Sequence, residues 1–451
     1  MAKKGSVRFV CSSCGASHQA WAGRCSTCGE WNTLQEEIVS SIGSGSSSFA
    51  RGQVLHSQSV DISVAKDHRR FISGIDDIDS VLGGGVVNGS VTLLTGQPGI
   101  GKSTLLLQLA YVLSRSVPVL YISGEESAHQ IGLRANRLGE HHKALQLATS
   151  NSTDDIVATI AKDQYKLVIV DSIQSVAIDS VPTSPGTVSQ ITNSAQLIMQ
   201  AAKQFDVAVI LVGHVTKEGV IAGPKILEHV VDVVLQLEGD RYGGFKLLRA
   251  TKNRFGSTNE TGIFEMTENG LKPVKNPSES LLAERQISDG SIVLAAVEGT
   301  RSLLVEVQAL VNRTSYGYPK RTSSGFDLNR LNLLVAMLER RTKLDLADKD
   351  IYVNIVGGIR INEPAADLAI CMAIGSAAKS MQLKDKTVVF GEVGLSGEVR
   401  HVPFMDKRLA EAKKLGFNSA IGPMQRTGKK LPNLDGVLSV RTALNTYLEK
   451  T

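Results

Sequence analysis

Short apolar runs alternate with stretches of helical spacing along most of this 451-residue sequence. The run at 91–94 has the composition of a buried strand, and leucine recurs at helical spacing in the segment that follows it. Further strands of the same sheet are predicted at 118–123, 167–171 and 207–213. This alternation is typical of an α/β fold, in which helices join the successive strands of a mostly parallel sheet.

A second α/β pattern begins near residue 287 and indicates a separate domain. Its strand-type segments are 291–299, 302–311, 351–358 and 387–397, and its predicted helices are 328–340, 365–378 and 407–415. Ahead of the first pattern, the segment 37–66 is rich in serine and glycine, which predicts a flexible linker. The sequence therefore divides into 1–36, the linker 37–66, a domain at 67–284 and a domain at 285–451.

Composition narrows the class of protein. Apolar residues make up 42% of the chain and charged residues 21%, and no apolar run approaches the ~20 residues that a membrane-spanning helix needs. The N-terminus lacks the apolar core of a signal peptide, so we expect a cytoplasmic protein with no membrane contact. The net charge of +5 permits a polyanionic partner without demonstrating one.

The segment from Gly96 to Ser103 matches the phosphate-loop motif G-x-x-x-x-G-K-[ST]. Its glycines let successive backbone N–H groups point at phosphate oxygens, and the following helix directs its positive end at the same anion. Lys102 supplies a positive charge, and the Ser103 hydroxyl is a ligand for Mg²⁺, so we expect ATP with Mg²⁺. The predicted nucleotide-binding residues are Gly96, Gln97, Pro98, Gly99, Ile100, Gly101, Lys102, Ser103 and Thr104.

Three polar residues at the ends of predicted strands are candidates for the chemistry. Glu125 is suited to orient the water that attacks the γ-phosphate; alternatively, Glu125 and its solvated neighbour Glu126 offset the dipole of the next helix. Asp171 suits the acidic partner of Mg²⁺ at a strand end, acting through water. His214 is either a phosphate-sensing residue or a histidine with a purely structural hydrogen bond.

Further candidates lie at the same edge of the predicted sheet. The loops 180–192 and 216–225 are mobile by composition and occupy positions where ligands of open α/β sheets bind. Lys252 and Arg254 flank Asn253 after another strand. These two cations either face solvent or contact an anion, which is DNA phosphate or the nucleotide on a neighbouring subunit.

Four of the five cysteines fall in two C-x₂-C-G pairs near the N-terminus. Such pairs place four thiolates around one tetrahedral ion, and a reducing compartment disfavours the alternative of two disulfides. The predicted zinc ligands are Cys11, Cys14, Cys25 and Cys28. We expect the two tryptophans of the chain, Trp21 and Trp31, to cover this zinc finger. The fifth cysteine, Cys371, is expected to be buried in a helix.

Together these segments resemble one family, the bacterial RadA (Sms) DNA repair proteins. The resemblance rests on the four-cysteine finger and on GQPGIGKS, YISGEES, LVIVDS and TKNRFG, and it covers nearly the whole chain. It implies a RecA-like ATPase core that forms a homo-hexameric ring on single-stranded and branched DNA. It further implies branch migration of recombination intermediates alongside a RecA-type recombinase. Under this resemblance 180–192 and 216–225 face DNA, and Lys252 and Arg254 belong to a signature loop between ATP and DNA.

The C-terminal domain resembles the peptidase domain of Lon, which uses a serine and a lysine. Here Ala365 stands at the nucleophile position and Asp406 at the lysine position, next to Lys407. Because no acyl intermediate can form without a hydroxyl, we expect a non-proteolytic α/β platform for oligomerisation and DNA guidance. Its candidate phosphate contacts, which also suit a solvated surface, are Lys320, Arg321, Lys429 and Lys430.

The sequence favours a DNA-dependent ATPase motor for recombinational repair over two other functions. One alternative is an ATP-dependent Lon-like peptidase, which the domain order suggests and Ala365 opposes. The other is a non-motor signalling or scaffold ATPase, which would hydrolyse ATP slowly and ignore DNA.

The four-cysteine assignment predicts the response to a chelator. A module this small has almost no apolar core, so its metal supplies the folding energy. A zinc chelator should release about one zinc per chain and unfold this segment alone. Metal analysis together with tryptophan fluorescence measures both effects, because both tryptophans of the chain lie in this segment. A purified chain with neither bound zinc nor free thiols would contradict the assignment.

Overall fold

The structure is a computed structural model that describes most of the chain. The described residues are 6–11, 17–18, 21–27, 29–31, 34–39, 69–139, 145–162, 164–214, 222–239, 244–315, 317–425 and 431–450. At 6–11, 17, 34–39 and 222–225 the description is limited to the backbone. The chain divides into two compact units, Met1–Asp67 and His68–Thr451.

The described part of the N-terminal unit contains an antiparallel sheet of three strands. These are β1 (Ser6–Cys11), β2 (Ser17–His18) and β3 (Leu34–Val39), in the order β2-β1-β3. β3 extends into the segment predicted as linker, and 40–68 lies outside the described residues. The prediction that Trp21 and Trp31 cover this unit is wrong, because they are 60% and 68% exposed. So small a unit has too little chain to bury two indole rings.

Within its described residues, the larger unit begins with a sheet of nine strands. The parallel strands are β6 (Val91–Gly96), β7 (Val119–Ser123), β8 (Leu145–Thr149), β9 (Leu167–Asp171), β10 (Ala208–Val212) and β11 (Val233–Gly239). Their order is β11-β6-β10-β9-β7-β8. Beyond β11 the sheet continues with the antiparallel strands β12 (Phe245–Asn253), β13 (Thr261–Thr267) and β14 (Gly270–Pro273). A short ladder joins β4 (Arg70–Phe71) to β5 (Val86–Val87).

Helices cover both faces of this sheet, which explains why its central strands are apolar on both sides. The helices are α1 (Asp76–Leu82), α2 (Lys102–Leu113), α3 (Ala128–Leu138), α4 (Thr153–Ala161), α5 (Val188–Gln204), α6 (Ala222–Val230) and α7 (Pro277–Leu282). Consecutive residues of β6 face opposite layers: Leu94 belongs to the core that contains α2, whereas Leu93 belongs to the core that contains α5. The predicted α/β fold is confirmed.

The predicted loop 180–192 is shorter in the structure, because α5 includes its last residues. The Thr187 hydroxyl accepts the backbone N–H of Gln190 and so caps the helix. The buried Gln190 side chain then ties down the loop through hydrogen bonds with the backbone of Ile178, Val181 and Thr183. Of the other predicted loop, 216–225, residues 216–221 lie outside the described residues and the rest belongs to α6.

The C-terminal part of this unit is a second α/β layer. Its described sheet contains β15 (Ser291–Glu298), β16 (Arg301–Arg313), β17 (Arg321–Ser324), β18 (Lys349–Ile355), β20 (Thr387–Val389), β23 (Ser419–Pro423) and β24 (Leu434–Val437), in the order β17-β18-β16-β15-β20-β23-β24. Two small ladders pair β19 (Met381–Leu383) with β25 (Leu448–Lys450) and β21 (Glu392–Val393) with β22 (Val399–Arg400). The helices are α8 (Leu328–Thr342), α9 (Asp367–Lys379), α10 (Met405–Lys414) and α11 (Val440–Thr446).

The predicted helices of this second layer are confirmed to within a few residues. Cys371 is fully buried in α9, as predicted, and burial raises the pKa of its thiol well above the ordinary value. Among the described residues, no helix combines the length and the apolar character that crossing a bilayer requires.

The two α/β layers share one apolar core. Phe245 and Leu247 of β12 and Leu281 of α7 pack in the same cluster as the buried residues of β15 and β16. Ion pairs border this core: Arg301 of β16 donates to Asp77 of α1 at 2.7 Å. The two sheets therefore pack against each other through apolar contacts and paired charges.

Glu298, at the end of β15, is a nearly buried carboxyl at this junction. It pairs with Arg249 of β12 at 2.8 Å, and Arg249 also pairs with Glu238 of β11 at 3.2 Å. Burial nevertheless raises the pKa of Glu298 to about 7, against the effect of Arg249 and with smaller contributions from Glu363 and Glu238. The folded chain therefore holds a proton here that the unfolded chain releases near pH 4.5.

This carboxyl predicts a pH dependence of stability. Because the folded pKa lies above the unfolded one, Glu298 makes the folded state less stable as pH rises from about 4.5 to about 7. Glu298→Gln keeps the shape of the side chain and cannot ionise. The free energy of unfolding of the variant, relative to that of wild type, should therefore be about 1–3 kcal/mol higher at pH 8 than at pH 5. Urea unfolding at both pH values measures this, with the exposed Glu449→Gln as control. Equal differences at both pH values would refute it.

Candidate nucleotide site

The phosphate loop joins β6 to α2 and passes close to neighbouring strands. A Cβ on Gly96 would lie 2.6 Å from the carbonyl oxygen of Leu237 on β11. Gly101 has φ of +114°, and a Cβ there would lie 2.7 Å from the Met266 side chain of β13. Glycine is therefore required at both positions, by close approach at one and by backbone conformation at the other. α2 begins directly afterwards at Lys102.

Lys102 is a buried cation, 4% exposed, inside this loop. Its Nζ donates to the carbonyl oxygens of Gly96 at 2.8 Å and Gln97 at 3.1 Å. Burial lowers the pKa of Lys102 to about 8, and the charges of Asp171 and Glu125 only partly offset that effect. An anion stabilises a desolvated ammonium more strongly than neutral carbonyls do. The loop is therefore suited to bind phosphate.

Asp171 ends β9, and its carboxylate is hydrogen-bonded from the neighbouring strand. The hydroxyl of Tyr121 on β7 donates to Asp171 Oδ2 at 2.5 Å. Burial, followed by the charge of Asp171, raises the pKa of Tyr121 well above 10, so the phenol stays protonated. Arg134 and Ser103 lower the pKa of the same phenol, with smaller effects than burial and Asp171.

Glu125 and Glu126 follow β7 and have different partners. Ser172, directly after Asp171, donates its hydroxyl to Glu125 Oε1 at 2.6 Å. Glu126 pairs with Arg134 of α3 at 2.6 Å, so the expectation that Glu126 is simply solvated is wrong. The helix that follows brings Arg134 back over Glu126. Neither glutamate lies within α3, whose N-cap is Ser127.

His214 lies two residues after the end of β10, the strand between β6 and β9. Its Nδ1 is buried and has no hydrogen-bond partner in the described part of the chain. Burial, and then the charge of Lys102, lowers the pKa of His214 below 6.5, so the imidazole is neutral at pH 7. A neutral ring with an unpartnered buried nitrogen is suited to hydrogen-bond a ligand in this cavity.

These groups line one cavity of about 410 Å³ at the carboxyl edge of the sheet. Its lining residues are Gly99, Gly101, Lys102, Ser103, Thr104, Ser123, Glu125, Glu126, Arg134, Arg137, Asp171, His214 and Met266. A second cavity of about 550 Å³ shares Thr104, Arg137 and Met266 with the first and extends along the turn between β13 and β14. Together they offer a polar compartment for phosphates and a neighbouring one for a nucleoside.

The cavity contains the groups that Mg²⁺ and ATP require. The Ser103 hydroxyl and the Asp171 carboxylate are oxygen ligands of the kind that Mg²⁺ prefers, and Lys102 lies beside them. Lys102, Ser103, Thr104, Glu125, Asp171 and His214 are thus brought together as the sequence predicts, and their roles remain predictions.

Some predicted nucleotide-binding residues point elsewhere. Ile100 is 1% exposed and packs in the core with α2, whereas Gln97 and Pro98 are exposed on the loop. Gln97 contributes its backbone carbonyl to Lys102. Any contact of these residues with the nucleotide would therefore come from the backbone or from the loop surface.

Lys252 and Arg254 lie away from this cavity in the described chain. Lys252 Nζ donates to the carbonyl oxygens of Glu228 and Val231, both at 2.7 Å, and so caps the carboxyl end of α6. Burial, and then the charge of Arg254, lowers the pKa of Lys252. Arg254 donates to Asp232 at 3.0 Å, and half of its side chain is exposed.

Sequence reasoning missed several residues of the site. Tyr121 lies in an apolar run and was expected only as part of a strand. Arg134 and Arg137 lie on a helix whose direction the sequence does not reveal. Met266 comes from an antiparallel hairpin far along the chain. The GEES segment is the one sequence signal for Arg134. Two adjacent carboxylates repel each other, so a cation near one of them is favourable.

The N-terminal metal site is described in part. Of the predicted zinc ligands, Cys25 has a described side chain, which is 1% exposed and lies 3.5 Å from Nε2 of His18. Cys14 and Cys28 and the side chain of Cys11 lie outside the described residues. A buried thiol near an imidazole is compatible with zinc, and the four-ligand set remains a prediction.

The C-terminal layer carries an ion pair next to Ala365, the residue that the sequence predicts at the Lon nucleophile position. Ala365 is 1% exposed in a turn of Pro364–Ala366. The fully buried Arg408 of α10 donates to Glu363 at 2.6 Å and to the carbonyl oxygen of Ala295 at 2.6 Å. Lys407, next to Asp406, lies over the ring of Phe404. A methyl group next to a buried ion pair supplies no nucleophile.

The candidate phosphate contacts of this layer are only partly described. Arg321 is the first residue of β17, and the backbone N–H of Lys320, just before it, donates to Asp350 at 2.7 Å. Lys429 and Lys430 lie outside the described residues. Their role in binding phosphate remains a prediction.

Three family models match separate parts of the chain. A model described as an AAA domain matches residues 63–220, and one described as a rubredoxin metal-binding domain matches residues 9–36. A model described as subunit ChlI of Mg-chelatase matches residues 332–426. The rubredoxin match covers the predicted zinc finger.

Curated relatives match nearly the full length. DNA repair protein RadA of Pseudomonas aeruginosa is 46% identical over 94% of this chain and 94% of its own. DNA repair protein RadA of Brucella abortus is 48% identical over 92% of this chain and 91% of its own. Among solved structures, the RadB recombinase matches 46% of this chain and 100% of its own, at 22% identity and a TM-score of 0.37. The RadA relatives and the AAA-domain match identify the nine-stranded core as a RecA-like P-loop ATPase domain.

The contacts of the two glutamates predict different effects of neutralising them. Glu125→Gln retains the hydrogen bond with Ser172 but cannot accept a proton from water, so kcat for ATP hydrolysis should fall about 100-fold or more. Nucleotide affinity should change little. Glu126→Gln, the matched control, removes the charge that pairs with Arg134 and should have a much smaller effect on kcat. Steady-state hydrolysis with separately measured nucleotide binding tests this, and an active Glu125→Gln variant would contradict it.

Proposed function

This chain belongs to the RadA family of bacterial DNA repair proteins, and on that premise we propose that it is a DNA-dependent ATPase motor. The motor binds single-stranded DNA and promotes branch migration of recombination intermediates. The observation that carries the proposal is the cavity in which a buried lysine, two carboxylates and a neutral histidine meet at the end of the phosphate loop.

Each of these residues has a distinct role in hydrolysis. Lys102 exchanges its loop carbonyls for phosphate oxygens and balances the charge that develops on them. Ser103 and Asp171 would hold Mg²⁺, which when bound neutralises phosphate charge. Glu125, held by Ser172, orients a water whose oxygen attacks the γ-phosphorus as the bond to the β–γ bridging oxygen breaks. The proton of that water passes to Glu125.

The cavity connects to both predicted DNA-facing segments through short stretches of chain. Ser172 begins the segment that leads to the exposed residues 182–189, and Gln190 ties the base of that loop. His214 directly precedes the second segment, which ends at α6. A change in the partners of Glu125 or His214 on hydrolysis is therefore close enough to alter how these segments hold DNA.

Lys252 and Arg254 support an assembled form of the motor. Lys252 fixes the end of α6, the helix that follows the second segment. Arg254 pairs with Asp232 but leaves half of its side chain exposed, so it is available to a nucleotide on an adjacent subunit. We place this contact in a homo-hexameric ring, in which each subunit completes the site of its neighbour. A RecA-type recombinase is the proposed partner on the DNA.

The motor hypothesis predicts how DNA changes the rate of ATP hydrolysis. Single-stranded DNA should accelerate wild type, and Lys102→Ala should lower kcat/KM about 100-fold or more with or without DNA. The exposed Lys272→Ala of β14 should behave as wild type. DNA binding should weaken steeply with salt, because each phosphate contact releases counterions. ATPase assays with oligonucleotides test this, and a wild-type rate indifferent to DNA that the protein does not bind would refute it.

A further inference from the structure

Tyr121 is a polar residue in an otherwise apolar layer. It lies at the centre of β7, and its ring is 2% exposed. The ring packs in the same core as Leu94 and Leu109. The ring therefore fills core volume, but its hydroxyl adds a polar group that burial penalises unless the hydroxyl is hydrogen-bonded.

The hydroxyl reaches Asp171, a residue that lines the nucleotide cavity. Tyr121 pairs with Ile169 of β9, two residues before Asp171, so its side chain extends towards the end of that strand. It donates to Asp171 Oδ2 at 2.5 Å, the one side-chain hydrogen bond to that carboxylate among the described residues. One oxygen of Asp171 is thereby occupied, and the other remains for a different partner.

The Ser103 side chain, in the first turn of α2, lowers the pKa of the same phenol, against the larger effects of burial and of Asp171. Ser103 and Asp171 come from different elements and both line the nucleotide cavity. Tyr121 is thus hydrogen-bonded to one of the two residues that fit Mg²⁺. Groups that hydrogen-bond metal ligands fix the orientation of those ligands, and their removal typically weakens metal affinity about 10- to 100-fold.

We propose that Tyr121 is a positioning residue for the magnesium site, aligning Asp171 through its phenolic hydroxyl. The inference rests on the proposed ATPase function. Tyr121 acts through Asp171, one of the two groups that would hold the metal, rather than on the nucleotide or the attacking water. A tyrosine that only fills the core would leave the dependence on Mg²⁺ unchanged when the hydroxyl is removed.

Tyr121→Phe tests this directly, because it removes the hydroxyl and keeps the ring. Binding of a fluorescent ATP analogue is measured in EDTA and in Mg²⁺. In EDTA the variant should bind as wild type does, whereas the gain in affinity from Mg²⁺ should shrink about 10-fold or more. The Mg²⁺ concentration for half-maximal hydrolysis should rise about 10- to 100-fold, with kcat restored to within a few-fold at saturating Mg²⁺.

A matched control and a second substitution keep the test decisive. Tyr111→Phe removes the hydroxyl of a tyrosine on α2 that accepts from Arg115, and it should leave the Mg²⁺ dependence unchanged. If Tyr121→Phe does not fold, 4-fluorophenylalanine at position 121 restores the lost volume without a proton and carries the same expectation.

The outcomes separate this inference from the proposed function. Wild type that fails to bind the ATP analogue in either condition would overturn the ATPase proposal itself. Wild type that responds to Mg²⁺ together with a Tyr121→Phe variant that responds equally would overturn only the role of Tyr121. A selective loss of the Mg²⁺-dependent gain would support it.

Discussion

The structure depends above all on the burial of one positive charge. Lys102 is removed from water at the start of α2 and is held by the carbonyls of its own loop. Burial disfavours the charged ammonium and lowers its pKa to about 8. An anionic partner would therefore stabilise this charge more than the neutral carbonyls do. Gly96 allows the loop to pass β11 at a distance that no side chain would tolerate, and this places the charge at the strand ends.

Strand order then decides which groups meet that charge. β10 lies between β6 and β9, which places His214 between the phosphate loop and Asp171, and β7 places Glu125 beside Ser172. Every one of these groups follows a strand of the same parallel sheet, so a single edge collects residues that are far apart in sequence. The same sheet passes through β11 and β12 to the second layer, where Arg249 joins Glu238 to Glu298. Paired charges thus link the nine-stranded sheet to the C-terminal layer.

Much of this architecture could be predicted because it follows from patterns of residues that are close together in the sequence. The phosphate loop is a contiguous motif, and apolar runs ending in Asp171 and His214 are typical of buried parallel strands, so their convergence follows from the α/β rule. Predictions failed where the outcome depends on partners distant in the sequence or on how much chain is available to cover a surface. Glu126 pairs with Arg134, which lies on the following helix. Trp31 is exposed because its unit is too small to bury it. The hairpin that brings Met266 over the phosphate loop leaves no signal in the sequence near the motif. Tyr121 shows the same limit, since its strand was predictable and its hydroxyl contact was not.

A structure of the chain with Mg²⁺ and a non-hydrolysable ATP analogue would show directly whether the buried lysine binds the phosphates. We expect Nζ of Lys102 to leave the carbonyl oxygens of Gly96 and Gln97 and to contact the β- and γ-phosphates, with Ser103 and Asp171 on the metal side. A nucleotide bound elsewhere, with Lys102 still on its loop carbonyls, would contradict it.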